Sequence, residues 1–260
     1  MDKTGVLYDQ IGTGYNTTRR ADAYITERLF ELLSPKKEQL YLDIGCGTGN
    51  YTIALANMGI DLYGVEPSME MLDIARSKNG KVNWLTGAAE LIPGGNDTFS
   101  GAIATLTIHH WADIRMALTE VGRVLKQNAD FVLFTALPQQ MKGYWLNHYF
   151  PKMMIDAITQ MPTYETIEGA TSETGFTITQ TEKYFIRPDL QDNFLYAGKH
   201  DPKLYLNKEV RKGISSFAAL ANMDEVHNGL NRLAHDMATN RFPDIKQQYD
   251  NDIGDYILSN

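Results

Sequence analysis

The chain has 260 residues, 43% hydrophobic and 22% charged, a composition that excludes disordered, collagen-like and coiled-coil architectures. A formal net charge of -8 gives an acidic surface that repels phosphate backbones, so a broad nucleic-acid footprint is not expected. The single cysteine, Cys46, permits no internal disulfide, and the first residues lack the basic start and apolar run of a signal peptide. With no apolar run of bilayer length either, the expectation is a cytoplasmic protein without a membrane partner.

From about residue 20 to 137 two periodicities alternate. An N-terminal helical segment ends at Ser34-Pro35. Strand-length apolar runs follow at Leu40–Ile44, Leu62–Val65, Val82–Leu85, Gly101–Leu106 and Phe131–Thr135. Helix-period segments separate them. Gly59 closes one, Ser68 can cap another, and a third places Ile114, Leu118, Val121 and Leu125 on one face. This alternation predicts βαβ units and a parallel sheet covered on both faces. After Leu137-Pro138 the rhythm changes. Met141–Met161 is rich in Met and aromatics and has two readings, the core of an insertion or an apolar lid over a substrate mouth. Thr177–Ile186 reads as a strand, and 188–250 returns to helical spacing, with Asn222 and Glu225 placed as a capping box. Asp255–Leu258 closes the chain as a last short strand. The resulting organisation is a core with its N-terminal arm over 1–137. The last two strands and helical insertions at about 138–176 and 188–250 make up 138–260.

The stretch Leu42-Asp43-Ile44-Gly45-Cys46-Gly47-Thr48-Gly49-Asn50 follows a strand and opens a helix. Such a turn needs positive φ or a bare backbone, and the helix start offers free N–H groups. A dinucleotide loop, counted from Gly45, would place its third glycine at Asn50, so that spacing fails. Asp43 ahead of the turn favours a cationic ligand over a pyrophosphate, although it can equally cap the next helix. Cys46 matters through its backbone rather than its thiol. Glu66, at the end of the second strand before Pro67-Ser68, is placed to accept hydrogen bonds from both ribose hydroxyls.

These features together resemble the class I S-adenosylmethionine-dependent methyltransferases. Asp43 to Gly49 resembles the family's first motif, Glu66-Pro67-Ser68 with Met71-Leu72 its second, and Gly87-Ala88-Ala89-Glu90 its Gly-Asp-Ala-Glu. Phe99 to Trp111 is similar to its fourth strand ending in His-His. Glu120 to Phe134 resembles its next helix and strand, with Gln-Asn-Ala-Asp where Pro-Gly-Gly is usual. Tyr8-Asp9 through Tyr15 and Arg19-Arg20 resembles the N-terminal arm of members acting on small molecules. The resemblance covers most of 8–137. It implies an α/β, Rossmann-like seven-stranded sheet, mostly parallel with an antiparallel last strand and a helical cap. It further implies transfer of a methyl group from S-adenosylmethionine, leaving S-adenosylhomocysteine. Tyr15, Arg20, Asp43, Gly45, Cys46, Gly47, Glu66, Pro67, Ala88, Ala89, Thr105 and Leu106 are the implied cofactor contacts. Ala88 replaces the usual adenine-binding Asp, which leaves the backbone of Ala88 and Ala89 to hold the base.

His109 and His110 follow the fourth strand at the edge where open α/β sheets bind ligands, and either can take a proton near neutral pH. They are the catalytic candidates; the alternative is that one of them packs or caps the next helix. No metal site is expected, because adjacent histidines on a strand point to opposite faces. The expected acceptor is a small molecule methylated at O, N, C or S, by a monomer or a homodimer. Two rivals stand beside it: a nucleic-acid or protein methyltransferase of the same fold, and a protein that binds the cofactor or a metabolite without turnover.

Overall fold

Seven strands form one sheet in the order β3-β2-β1-β4-β5-β7-β6 in the computed structural model, which describes residues 18–260. The strands are β1 (Leu40–Ile44), β2 (Asp61–Glu66), β3 (Asn83–Thr86), β4 (Phe99–Thr105), β5 (Leu125–Thr135), β6 (Thr181–Tyr184) and β7 (Tyr256–Ser259). The first five are parallel, and β7 lies antiparallel between β5 and β6. The expected mostly parallel sheet with an antiparallel last strand is therefore present.

The helices between the parallel strands begin and end on identifiable chemistry. Asp22 Oδ1 accepts the Ile25 N–H at 3.0 Å and starts α1 (Ala23–Leu33). Ser34 ends it in the left-handed region, and Pro35 bars continuation. Gly49, at φ +75, opens α2 (Asn50–Asn57). Ser68 caps α3 (Met69–Lys78) and Asp113 caps α4 (Ile114–Val124), devices worth about 1 kcal/mol each. Alternation along the strands splits the core between the two faces of the sheet. On one face Ile103 and Val132 meet Ile25, Leu29 and Leu55; on the other Ala102 and Ala104 meet Ala117, Val121 and Ile167.

Four elements separate β5 from β6: α5 (Pro138–Lys142), α6 (Leu146–Tyr149), α7 (Pro151–Thr159) and α8 (Tyr164–Glu173). Between β6 and β7 come short turns with α9 (Lys208–Lys212), α10 (Met223–Ala238) and α11 (Phe242–Gln247). The two stretches share an aromatic core. Trp145 is fully buried, edge-on to Tyr149, Tyr205 and Phe242 at centroid distances of 5.9, 5.4 and 5.0 Å. α8 lies apart from this core: Ile167 packs with Ala117 and Val121 on the opposite face of the sheet.

Several expectations are corrected. Leu125 is not the last rung of a helix but the first residue of β5, which follows α4 without a loop. The Gln-Asn-Ala-Asp departure falls inside β5, where Asn128 supplies the positive φ of 59° at a break in register with β4. The strand expected over Thr177–Ile186 pairs only over Thr181–Tyr184, because Ile186 N–H turns to Asp255 Oδ2 at 2.7 Å. Asn222 does cap α10, but Glu225 does not complete the box. Its carboxylate instead accepts the Lys152 and Met153 N–H groups at 2.7 and 3.2 Å, capping α7. Among the described residues no helix is long and apolar enough to cross a membrane.

Candidate functional site

The carboxyl ends of β1, β2 and β4 converge on one cavity of about 650 Å³, within the range of roughly 300–1,000 Å³ usual for small-ligand pockets. Its floor is the glycine turn. Gly45 and Cys46 both donate N–H bonds to the Val65 carbonyl, at 2.8 and 3.0 Å, which ties the turn to β2. Gly45, at φ +70, lies so close to β4's exit that a Cβ would stand 2.0 Å from Thr107 Oγ1. Gly47, at φ +54, meets nothing nearer than Met71 Sδ at 3.8 Å, so its bare backbone borders open space. Lys78 braces the turn from α3, donating to Thr48 and Asn50; desolvation lowers its pKa to about 8.

Two carboxylates flank this turn. Asp43 is 2% exposed; its Oδ2 accepts the Thr52 hydroxyl at 2.6 Å, while Oδ1 is buried with no partner. Burial pushes its pKa up to about 7, the Thr52 bond opposing this and the charge of Glu66 adding to it. Asp43 does not cap α2, whose N-cap is Gly49 without a side-chain bond; it reaches that helix only through the Thr52 hydroxyl. Glu66 is 6% exposed and accepts N–H bonds from Gly47 at 3.0 Å and Ser68 at 3.1 Å. Burial raises its pKa against the pull of those two donors. Each oxygen thus has one donor and a further lone pair.

The other walls bring the remaining candidates together. Pro67, Ala88, Ala89, Thr105 and Leu106 all line the cavity, as do Gly45, Cys46 and Gly47. Leu106 holds φ +54, an uncommon conformation for a bulky residue, fixed by its N–H bond to the Phe134 carbonyl at 2.8 Å. Cys46 is half-buried, and desolvation raises the pKa of its thiol, so it stays protonated. Arg20 is exposed and does not line the cavity; the guanidinium in the wall belongs to Arg19. Arg19 binds Asp192 through two contacts, Nε to Oδ1 at 2.5 Å and a terminal nitrogen to Oδ2 at 3.1 Å. The Tyr51 hydroxyl also donates to Asp192, at 3.1 Å. Tyr15, Tyr8 and Asp9 lie outside the described residues.

The histidines sit differently from expectation. β4 ends at Thr105, and His109 and His110 fall in the short 3₁₀ turn Ile108–His110. Their rings therefore do not point to opposite faces but meet at 3.8 Å between centroids. Both line the cavity. Burial holds His109 well below the ordinary histidine pKa, with His110 adding to it, and lowers His110 to about 4. Both rings are neutral at physiological pH, and burial makes each a weaker base than the ordinary histidine expected from the sequence. Trp111 lines the same wall and stacks on Phe131. Among the described residues no group of three or more His, Cys, Asp or Glu is placed to hold a metal.

Sequence reasoning missed Tyr51, Glu90, Asp192 and Tyr256. Glu90 accepts the Ala112 and Asp113 N–H groups, at 2.6 and 3.2 Å, and pins the loop behind the histidines. Met141, Ala157, Gln160 and Met161 of the first insertion and Ile214, Ser215, Ser216, Ala219 and Leu220 of the second roof the cavity. Tyr144 to Met154 is largely core, and its flanks line the cavity.

The sheet order and the cavity at its carboxyl edge define a Rossmann-like methyltransferase fold. The family model of a methyltransferase domain matches residues 42–133. A solved chain from Anabaena variabilis, assigned as a methyltransferase of an antibiotic biosynthesis pathway, superposes with a TM-score of 0.84 at 34% identity. That superposition covers 94% of this chain and 99% of the other. The O-methyltransferase rstn1 of Aspergillus nomiae is 27% identical over 68% of this chain and 89% of its own length. The uncharacterized methyltransferase YcgJ of Bacillus subtilis is 35% identical, over 38% of this chain and 41% of that protein. The chain belongs to the class I S-adenosylmethionine-dependent methyltransferases, and it is an enzyme of that family.

Proposed function

We propose that the protein transfers a methyl group from S-adenosylmethionine to a small-molecule acceptor enclosed beneath the two insertions. The observation that carries this reading is the continuity of one cavity from the glycine turn and Glu66, past the histidine pair, to the roof. The donor set suits the cofactor. Among the described residues the lining holds four carboxylates, Asp43, Glu66, Glu90 and Asp192, against the single guanidinium of Arg19, a balance favourable to a cationic sulfonium. When bound, S-adenosylmethionine supplies a methyl group already activated by its sulfonium, and the C–S bonding pair leaves with sulfur.

The chain's own residues then have three tasks. Glu66 holds the ribose hydroxyls on its remaining lone pairs, while Gly47 leaves the backbone bare beside them. Ala88 and Ala89 border the adenine. Thr105 and Leu106 hold the exit of β4 against the turn, and the roof excludes water and fixes the acceptor in line, the largest source of rate for such a displacement. His109 or His110 takes the acceptor's proton where the nucleophile is a hydroxyl. The acidic lining and the roof supplied by both insertions favour a small acceptor over a nucleic acid, and the O-methyltransferase relatives agree with an oxygen acceptor.

Calorimetry with S-adenosylhomocysteine tests the reading. Equimolar binding is expected. Glu66→Ala should weaken it about 5- to 150-fold, equivalent to roughly 1–3 kcal/mol for a lost charged acceptor. Binding of NADH with no response to S-adenosylhomocysteine refutes it.

A further inference from the structure

The half of the cavity away from the glycine turn is walled by Met141, Ala157 and Met161 from the first insertion and by Phe194, Ile214 and Leu220 from the second. The polar groups contributed by these same stretches are neutral, Gln160, Ser215 and Ser216, apart from Asp192. Among the described residues each charged group of the lining has at least one polar partner. Glu66 and Glu90 are each held by two backbone N–H groups, and Asp43 by Thr52. Arg19 and Asp192 hold each other, with side chains 12% and 1% exposed, and Tyr51 adds a bond to the carboxylate. Among the described residues no lysine lines the cavity.

An anionic acceptor entering this space loses its hydration and, among the described residues, meets no cation that is not already paired. An unpaired buried ion costs several kcal/mol, whereas apolar surface is stabilised there by about 25 cal/mol per Å². The neutral imidazole of His109, whose Nδ1 is buried without a partner, offers a hydroxyl a hydrogen-bond acceptor in the same wall.

Resting on the methyl-transfer reading, we infer that the acceptor is a largely apolar hydroxyl compound without an anionic group, and that the matched Arg19–Asp192 pair and the apolar roof exclude carboxylated and phosphorylated molecules. The roof selects by desolvation rather than by a specific ionic contact. Gln160 is the neutral rim position at which a new cation alters that selection.

Calorimetric titration of the full chain loaded with S-adenosylhomocysteine tests this with three probes sharing one ring system: 2-naphthol, 2-naphthoate and 2-naphthyl phosphate. 2-Naphthol is expected to bind at least ten-fold more tightly than either anion. In Gln160→Lys the ratio should shift at least ten-fold toward 2-naphthoate, with S-adenosylhomocysteine affinity unchanged. Equal or tighter binding of an anion to the wild-type protein overturns the inference, as does the absence of 2-naphthol binding to the loaded protein. An unchanged ratio in Gln160→Lys overturns the electrostatic basis for it. Failure to load S-adenosylhomocysteine is a separate result and removes the methyl-transfer reading itself.

Discussion

Asp43→Asn should make the ligand-free protein more stable at alkaline pH while weakening its hold on a cationic ligand. Asp43 is buried, its Oδ1 has no partner, and burial lifts its pKa from 3.8 to about 7. A pKa raised on folding favours the protonated form. The associated stability is fully present below about pH 4 and is lost as pH rises through about 7. At 1.36 kcal/mol per unit, that gap corresponds to about 4 kcal/mol between the two ends of the window. Asparagine does not ionise, and the fixed cost of its buried amide is the same at every pH, so it cancels from the comparison. Between pH 4 and pH 8 the variant's melting temperature should therefore gain on the wild type by roughly 8–16 °C, at about 2–4 °C per kcal/mol for a chain of this size. Circular-dichroism melts of both proteins across that range read the difference. In calorimetry at pH 7 the wild type should release protons on binding S-adenosylmethionine, as the sulfonium draws Asp43 into its ionised form; the variant should release fewer and bind more weakly. Parallel stability curves for the two proteins from pH 4 to pH 8 refute the buried titration.

Two further predictions separate packing from chemistry. Gly45→Ala forces a Cβ to 2.0 Å from Thr107 Oγ1 and should melt well below Gly47→Ala, which meets only backbone strain of about 1–3 kcal/mol; equal melting temperatures contradict the packing. For a hydroxyl acceptor, His109→Asn or His110→Asn should lower turnover by roughly 10²–10⁴-fold with S-adenosylhomocysteine affinity unchanged, and full turnover in both variants removes them as bases.

The parallel half of the sheet was legible because strands covered on both faces are written as apolar runs, and the glycine turn because its positive φ values demand glycine. The first insertion was not, since its elements are short and held by aromatic packing such as that around Trp145, whereas the helical spacing over 188–250 returns in the 16 residues of α10. Arg19 and Arg20 are one residue apart and chemically alike. Only the position of α1's start decides which one turns into the wall. Asp192 carried no local signal, because its partners lie 173 and 141 residues away. The histidine turn was misread because β4 stops at Thr105, and a three-residue 3₁₀ segment brings together side chains that a strand would separate.

The carboxylate of Glu225 has a consequence for how this enzyme diverges from its relatives. It sits on α10 in the second insertion yet caps α7 in the first, so the two insertions form a single exchangeable cassette rather than two independent parts. Recombination that swaps only one of them strands two helix N–H groups and breaks the aromatic core that Trp145 shares with Tyr205 and Phe242. A change of the roof that keeps this packing intact therefore replaces both insertions together, or alters single lining positions such as Met161 and Leu220, while the glycine turn stays as it is.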